Sequence, residues 1–106
     1  MYEYRARILK IVDADIVDVE IDLGFGVLVH ERIRLADIEV WELGAGNGLP
    51  AKSYTEKMLP VGSMVVLRTQ KANGQHGRYI GDFILEDGCS LGVLLVAGGY
   101  GQHVSY

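Results

Sequence analysis

Cysteine is almost missing from the chain: Cys89 is the single one. An internal disulfide is therefore excluded, and so is a thiolate metal centre. Cys89 reads as a small packing residue beside the Asp87-Gly88 turn. Proline is scarce too, with 2 residues against 14 glycines. Many tight turns and few rigid breaks point to β structure. No apolar run approaches the roughly 20 residues needed to cross a bilayer. The Met1-Tyr2-Glu3-Tyr4-Arg5 start leads into no apolar stretch, so it does not read as a signal peptide. The expected setting is intracellular, with no membrane partner. Basic residues are in deficit, 10 against 14 acids, for a net charge of −4. Passive nucleic-acid clamps draw most of their affinity from phosphate neutralisation and are basic. The acidic balance argues against that class. It suits a site whose carboxylates hold a divalent cation, because the cation restores positive charge where phosphate sits.

What is present is ordinary for one globular domain spanning residues 1–106. Hydrophobic residues make up 49% and charged residues 23%, with no disorder signature. Residues 2–12 are β-rich and roughly alternating, and they read as a strand. Asp13-Ala14-Asp15 is a turn. Over 16–22, Ile16, Val17, Val19 and Ile21 alternate with Asp18, Glu20 and Asp22, a half-buried strand. Gly24-Phe25-Gly26 is a hairpin connection. The third strand covers 27–36, with Val27, Val29, Ile33 and Leu35 set against His30, Arg32 and Arg34.

The glycine-rich stretch 43–48 is a loop, and Pro50 suits the first turn of a helix over 50–59. That helix presents Ala51, Tyr54, Met58 and Leu59 on one face and ends at Pro60 and Gly62. Strands follow at 64–70 and 78–86, with turns at Asn73-Gly74 and Asp87-Gly88. Ser90 caps a short helix over 91–97, which Gly98-Gly99 stops. Five strands with a helix between the third and fourth is the layout of a five-stranded OB barrel with two short helices, mainly β.

Four features carry candidate chemistry. Asp13-Ala14-Asp15 offers two carboxylates on a tight turn to a hard cation, although polar turns with paired acids are common. In Arg34-Leu35-Ala36-Asp37-Ile38-Glu39-Val40-Trp41-Glu42, an arginine fork precedes the carboxylates of Glu39 and Glu42, which follow where the strand should end. Metal-assisted phosphodiester hydrolysis needs a fork on phosphate, an acid on the metal and an acid on water. A salt-bridged surface strand competes with that reading. In Gln75-His76-Gly77-Arg78-Tyr79, Arg78 can bring a second guanidinium to the same phosphate. His76 is a candidate acid, against the plainer reading of a solvated loop histidine. The aromatic residues Tyr79, Tyr100, His103 and Tyr106 have faces on which bases stack. The plainer reading, preferred for Tyr79 and Tyr100, is packing at barrel edges.

Taken together, these segments resemble the staphylococcal (thermonuclease-type) nuclease family. That family shows an Asp-Gly-Asp-Thr-Val turn, and this chain has Asp13-Ala14-Asp15-Ile16-Val17. The family's Arg-Leu-x-Gly-Ile-Asp-x-Pro-Glu stands here as the 34–42 segment. Its Lys-Tyr-Gly-Arg stands here as Gln75-His76-Gly77-Arg78. Its closing Leu-Val-x-x-Gly-Tyr/Leu-Ala pattern corresponds to Leu95-Val96-Ala97-Gly98-Gly99-Tyr100-Gly101. Order and spacing agree over essentially the whole chain.

The resemblance implies a Ca²⁺-dependent nuclease hydrolysing the phosphodiester bonds of DNA or RNA. Asp15, Glu39 and the Val40 carbonyl would ligate the metal. Glu42 would be the general base, and Arg34 and Arg78 would clamp the phosphate. His76 and Tyr79 would lie beside the substrate. Departures gather around the metal. Ala14 replaces a glycine and is expected to strain the turn. Ile16 removes a hydroxyl, Glu39 is one methylene longer than aspartate, and Trp41 replaces a proline. Gln75-His76 replaces Lys-Tyr. The family's C-terminal helix has no counterpart before Tyr106. The alternative is therefore a catalytically weakened or inactive OB module that binds nucleic acid or a protein partner. DNA-versus-RNA preference and oligomeric state are not legible in the sequence.

Overall fold

The computed structural model of the chain describes residues 2–40, 48–69 and 79–104. Its elements, in order, are β1 (Tyr2–Asp13), β2 (Ile16–Asp22), β3 (Leu28–Leu35), β4 (Ile38–Val40), α1 (Gly48–Met58), β5 (Met64–Thr69), β6 (Tyr79–Ile84), α2 (Leu91–Ala97) and β7 (Gly101–His103). Five strands close into a barrel in the order β1-β2-β3-β6-β5, and β4 and β7 form a separate two-stranded sheet. All barrel pairings are antiparallel except β3 with β6, which is parallel. The expected mainly-β, five-stranded OB-type barrel with two short helices is thus the fold observed.

Closure depends on β1, which pairs with β2 on one edge and with β5 on the other. Its register against β2 slips between Ile8 and Lys10 and again between Ile11 and Asp13. Such bulges bend a strand and increase its twist. The first slip also explains the inward set. Ala6 and Ile8 are buried on even positions, and after the bulge Ile11 is buried on an odd one.

Strand alternation then fills the interior with Val17, Val19, Ile21, Ile33, Leu35, Val65, Leu67 and Phe83, each at most 7% exposed. At the β2–β3 hairpin, Gly24, Phe25 and Gly26 all have positive φ (81°, 56° and 73°). Two glycines suit that geometry. Phe25 does not, and it is fully exposed.

The end of the barrel at the β1–β2 turn is covered by α1. Ala51, Thr55 and, just past the helix, Leu59 are buried. The Thr55 hydroxyl donates to the Ala14 carbonyl at 2.8 Å. Thr55 is the buried polar residue among the described core, and a reading for apolar faces alone passes over it.

On the barrel's flank, α2 is capped as expected: the Ser90 hydroxyl accepts from the Val93 amide at 3.2 Å. Asp82 on β6 reinforces the cap. Its carboxylate accepts from the Phe83 amide at 2.8 Å, from the Gly92 amide at 3.2 Å and from the Ser90 hydroxyl. Tyr100 packs on Tyr54 of α1, ring centroids 4.9 Å apart, in line with its reading as an edge-packing residue.

One expectation is overturned: Cys89 is exposed rather than packed, because its position in the Asp87-Gly88 turn leaves it outside the barrel. Among the described residues, no helix is long and apolar enough to cross a membrane.

Candidate functional site

The β1–β2 turn is set by its own backbone and by α1. The Ala14 amide donates to the Asp13 carboxylate at 2.8 Å, and Thr55 holds the Ala14 carbonyl from the far side. Ala14 is fully buried, and it is not among the residues with positive φ. The strain expected from replacing a glycine there is absent, because this turn does not use the left-handed region.

Asp15 follows, half-buried. Its carbonyl accepts from the Leu35 amide at 2.8 Å, which ties the turn to the end of β3. In the ladder, Arg34 stands opposite Ile16 on β2 and beside Ile80 on β6. Ile33 and Leu35 face the core, so Arg34 projects outward and is exposed, as its parity requires. The Asp15 and Arg34 backbones therefore lie within one step of each other on the β2–β3 ladder, at one rim. Among the described residues, no ion pair or hydrogen bond engages the Arg34 guanidinium.

Beyond β3 the chain turns through Ala36 and Asp37. Asp37 has φ of 56°, and short polar residues accept that region better than most. The Asp37 carbonyl accepts from the Val104 amide at 3.0 Å, so the turn recruits β7. Glu39 pairs with Gln102 and Val40 with Gly101. Glycine at 101 is required by proximity: a Cβ there would lie 2.6 Å from the Glu39 carbonyl oxygen.

Ile38 is buried, while Glu39 is exposed and accepts from the Gln102 side-chain amide at 3.3 Å. The structure thus holds Glu39 and Val40 on a small separate sheet. Asp15 and Arg34 sit on the barrel rim itself. Among the described residues, no group of three or more His, Cys, Asp or Glu converges as a metal site. A calcium ion takes about six to eight oxygen ligands. Two carboxylates and one carbonyl would supply part of that set, leaving the remaining positions to water and phosphate oxygens.

Tyr79 opens β6 opposite Ile33 and is exposed. It lines a cavity at the barrel mouth and immediately precedes Ile80, the ladder neighbour of Arg34. Glu42, His76 and Arg78 lie outside the described residues, as do Trp41 and Tyr106.

Nearby charges are committed elsewhere. Arg32 donates to both oxygens of Asp18, at 2.8 and 3.2 Å, and His30 and Glu20 are 2.9 Å apart. The hydrogen bond from Arg32 holds the Asp18 carboxyl below its ordinary range and raises the guanidinium in turn. Reading the sequence by alternation missed Glu31, a carboxylate at the inward parity of Val29 and Ile33. The signal was a break in that alternation. Compared with models of known protein families and with curated proteins, the chain matches none.

Proposed function

We propose that the chain is a phosphodiesterase of the thermonuclease kind, acting on DNA or RNA at the rim where the β1–β2 turn meets the end of β3. The observation that carries this reading is the juxtaposition of Asp15 and Arg34, joined through the Leu35–Asp15 hydrogen bond. An exposed arginine, unpaired among the described residues and next to a carboxylate-bearing turn, suits the binding of a phosphodiester. Its fork takes two phosphate oxygens at once. The left-handed Asp37 adds support, because it falls where the resembled family carries glycine.

On this reading Arg34 and Arg78 bind the phosphate and stabilise the charge that builds on phosphorus. Glu42 accepts a proton from water. Asp15, Glu39 and the Val40 carbonyl would hold the Ca²⁺ that the resemblance implies, and the ion would supply positive charge beside the phosphate. The test is cleavage of single-stranded DNA and RNA with Ca²⁺ or with chelator. Arg34→Ala and Glu42→Ala should each lower kcat/KM by at least about 10²-fold. Cleavage unaffected by chelator and by both variants would end this reading.

The second reading is a binding module without catalysis, for nucleic acid or a protein partner. It is favoured by the lack of a three-carboxylate group among the described residues and by the engagement of Glu39 with Gln102. Oligonucleotide binding that persists with no cleavage in any divalent cation selects it.

A further inference from the structure

While α1 covers one end of the barrel, the other end, toward the β2–β3 hairpin, holds a cavity of about 420 Å³. That is within the roughly 300–1,000 Å³ usual for small-ligand pockets, and barrel mouths are a common place for them. Inward-facing positions from all five barrel strands line it. Tyr2 and Tyr4 come from β1 and Tyr79 from β6, and Ile21 and Ile33 form a buried floor. Tyr2 is 61% exposed and Tyr79 46%, so both ring systems are open to solvent.

Glu31 on β3 also lines this cavity. It is half-buried, at the inward parity of Val29 and Ile33. The bases flanking it face the other way and are occupied, Arg32 with Asp18 and His30 with Glu20. Among the described residues, no hydrogen bond or ion pair engages the Glu31 side chain.

A carboxylate without a partner among the described residues, set between tyrosines and aliphatic walls, has little structural use. Half-burial without pairing costs free energy, and a tyrosine or leucine would fill the space. The combination does suit one class of ligand. Aromatic faces attract cations through their quadrupoles, most effectively poorly hydrated ones that shed water cheaply. The carboxylate supplies the formal charge. We propose that the barrel mouth binds an alkylated ammonium cation, a quaternary head on a short aliphatic stem. The head sits among Tyr2, Tyr4, Tyr79 and Glu31, and the stem lies along Leu23. Two sources share this chemistry: a free small cation and a methylated lysine side chain of a protein. The site lies toward the hairpin end of the β2–β3 ladder and Asp15 at the other end, and its wall includes Tyr79 and Ile80 on the strand beside Arg34, so the titration is run without Ca²⁺ or nucleic acid to keep the two readings distinguishable.

The test is calorimetric titration of the full chain, without Ca²⁺ or nucleic acid, with choline and with 3,3-dimethylbutan-1-ol, its uncharged isostere. Choline should bind saturably, and the isostere should bind at least about tenfold more weakly. Glu31→Gln should weaken choline by about fivefold or more and leave the isostere unchanged. Tyr79→Leu should weaken choline similarly, with thermal melts confirming that both variants fold. A short peptide carrying trimethyllysine that binds more tightly than choline identifies the protein source. One that binds no more tightly identifies the free cation. Equal affinity for choline and its isostere, or no saturable heat up to about 50 mM choline (a Kd too weak for specific use), overturns the proposal. So does a Glu31→Gln variant that binds choline like the parent.

Discussion

Thr55→Val is the sharpest available probe of how α1 supports the site. Valine nearly matches threonine in shape, so packing around position 55 is preserved and the hydroxyl is removed. That hydroxyl donates to the Ala14 carbonyl at 2.8 Å, and both residues are fully buried. The variant strands a carbonyl in the core with neither protein donor nor water. Leaving a buried acceptor unsatisfied costs about 1–3 kcal/mol. A domain of this size loses about 4–8 °C of Tm per kcal/mol, so a fall of roughly 4–24 °C is expected. Thr55→Ser keeps the donor and loses one methyl, worth about 0.8 kcal/mol. The expected order is therefore wild type, then Ser, then Val. Urea unfolding by circular dichroism, with equal slopes for the three proteins, is the assay. A Val variant as stable as wild type would refute the reasoning, since the contact would then be replaceable by apolar packing. Ala14 precedes Asp15, so the same variant should also reduce any activity that depends on the Asp15 carboxylate.

Gly81→Ala would place a Cβ 2.9 Å from the Arg68 carbonyl oxygen and 2.9 Å from Leu67 Cδ1, at the seam joining β6 to β5. It should cost about 1–3 kcal/mol by overpacking, and an unchanged Tm would show that the barrel yields there freely. The Asp18 carboxyl is held below its ordinary value, chiefly by the hydrogen bond from Arg32. Its contribution to stability is full above that value and is lost as pH falls through the lowered one. Asp18→Asn should therefore unfold at lower urea than wild type near pH 7, with the gap closing in strong acid. A gap that persists in acid argues for a packing effect instead. The Cys89 thiol is raised, chiefly by its hydrogen bond with Asp87, so less of it is thiolate at a given pH. Its alkylation at about pH 8 should be slower than that of an unstructured peptide thiol, and Asp87→Ala should speed it. Equal rates before and after the substitution would dismiss the Asp87 contact.

Much of the fold was legible because strands and turns are local. Val17, Val19 and Ile21 announce β2 by alternation alone, and Ser90 and Gly98 announce the ends of α2 by capping chemistry. The candidate helix differed from α1 by 1–2 residues at each end, where terminal turns carry little signal. The short strands β4 and β7 went unread. Three residues cannot display a period, and they become strands only because the Asp37 turn and Gly101 let their backbones meet. The expected packed Cys89 and strained Ala14 failed for a shared reason. Burial and φ are set by surroundings that residue type does not encode.

The sequence by itself determined the order of the five barrel strands and two helices and the outward direction of Arg34, because alternation is a property of the chain. Only the tertiary structure decided which ends meet. The β1 bulges and the parallel β3–β6 pairing bring distant segments together, and no local pattern encodes that closure. It is closure that sets Asp15 beside Arg34 at one rim. At the other it gathers Tyr2, Tyr4, Glu31 and Tyr79, drawn from both halves of the chain, around one cavity.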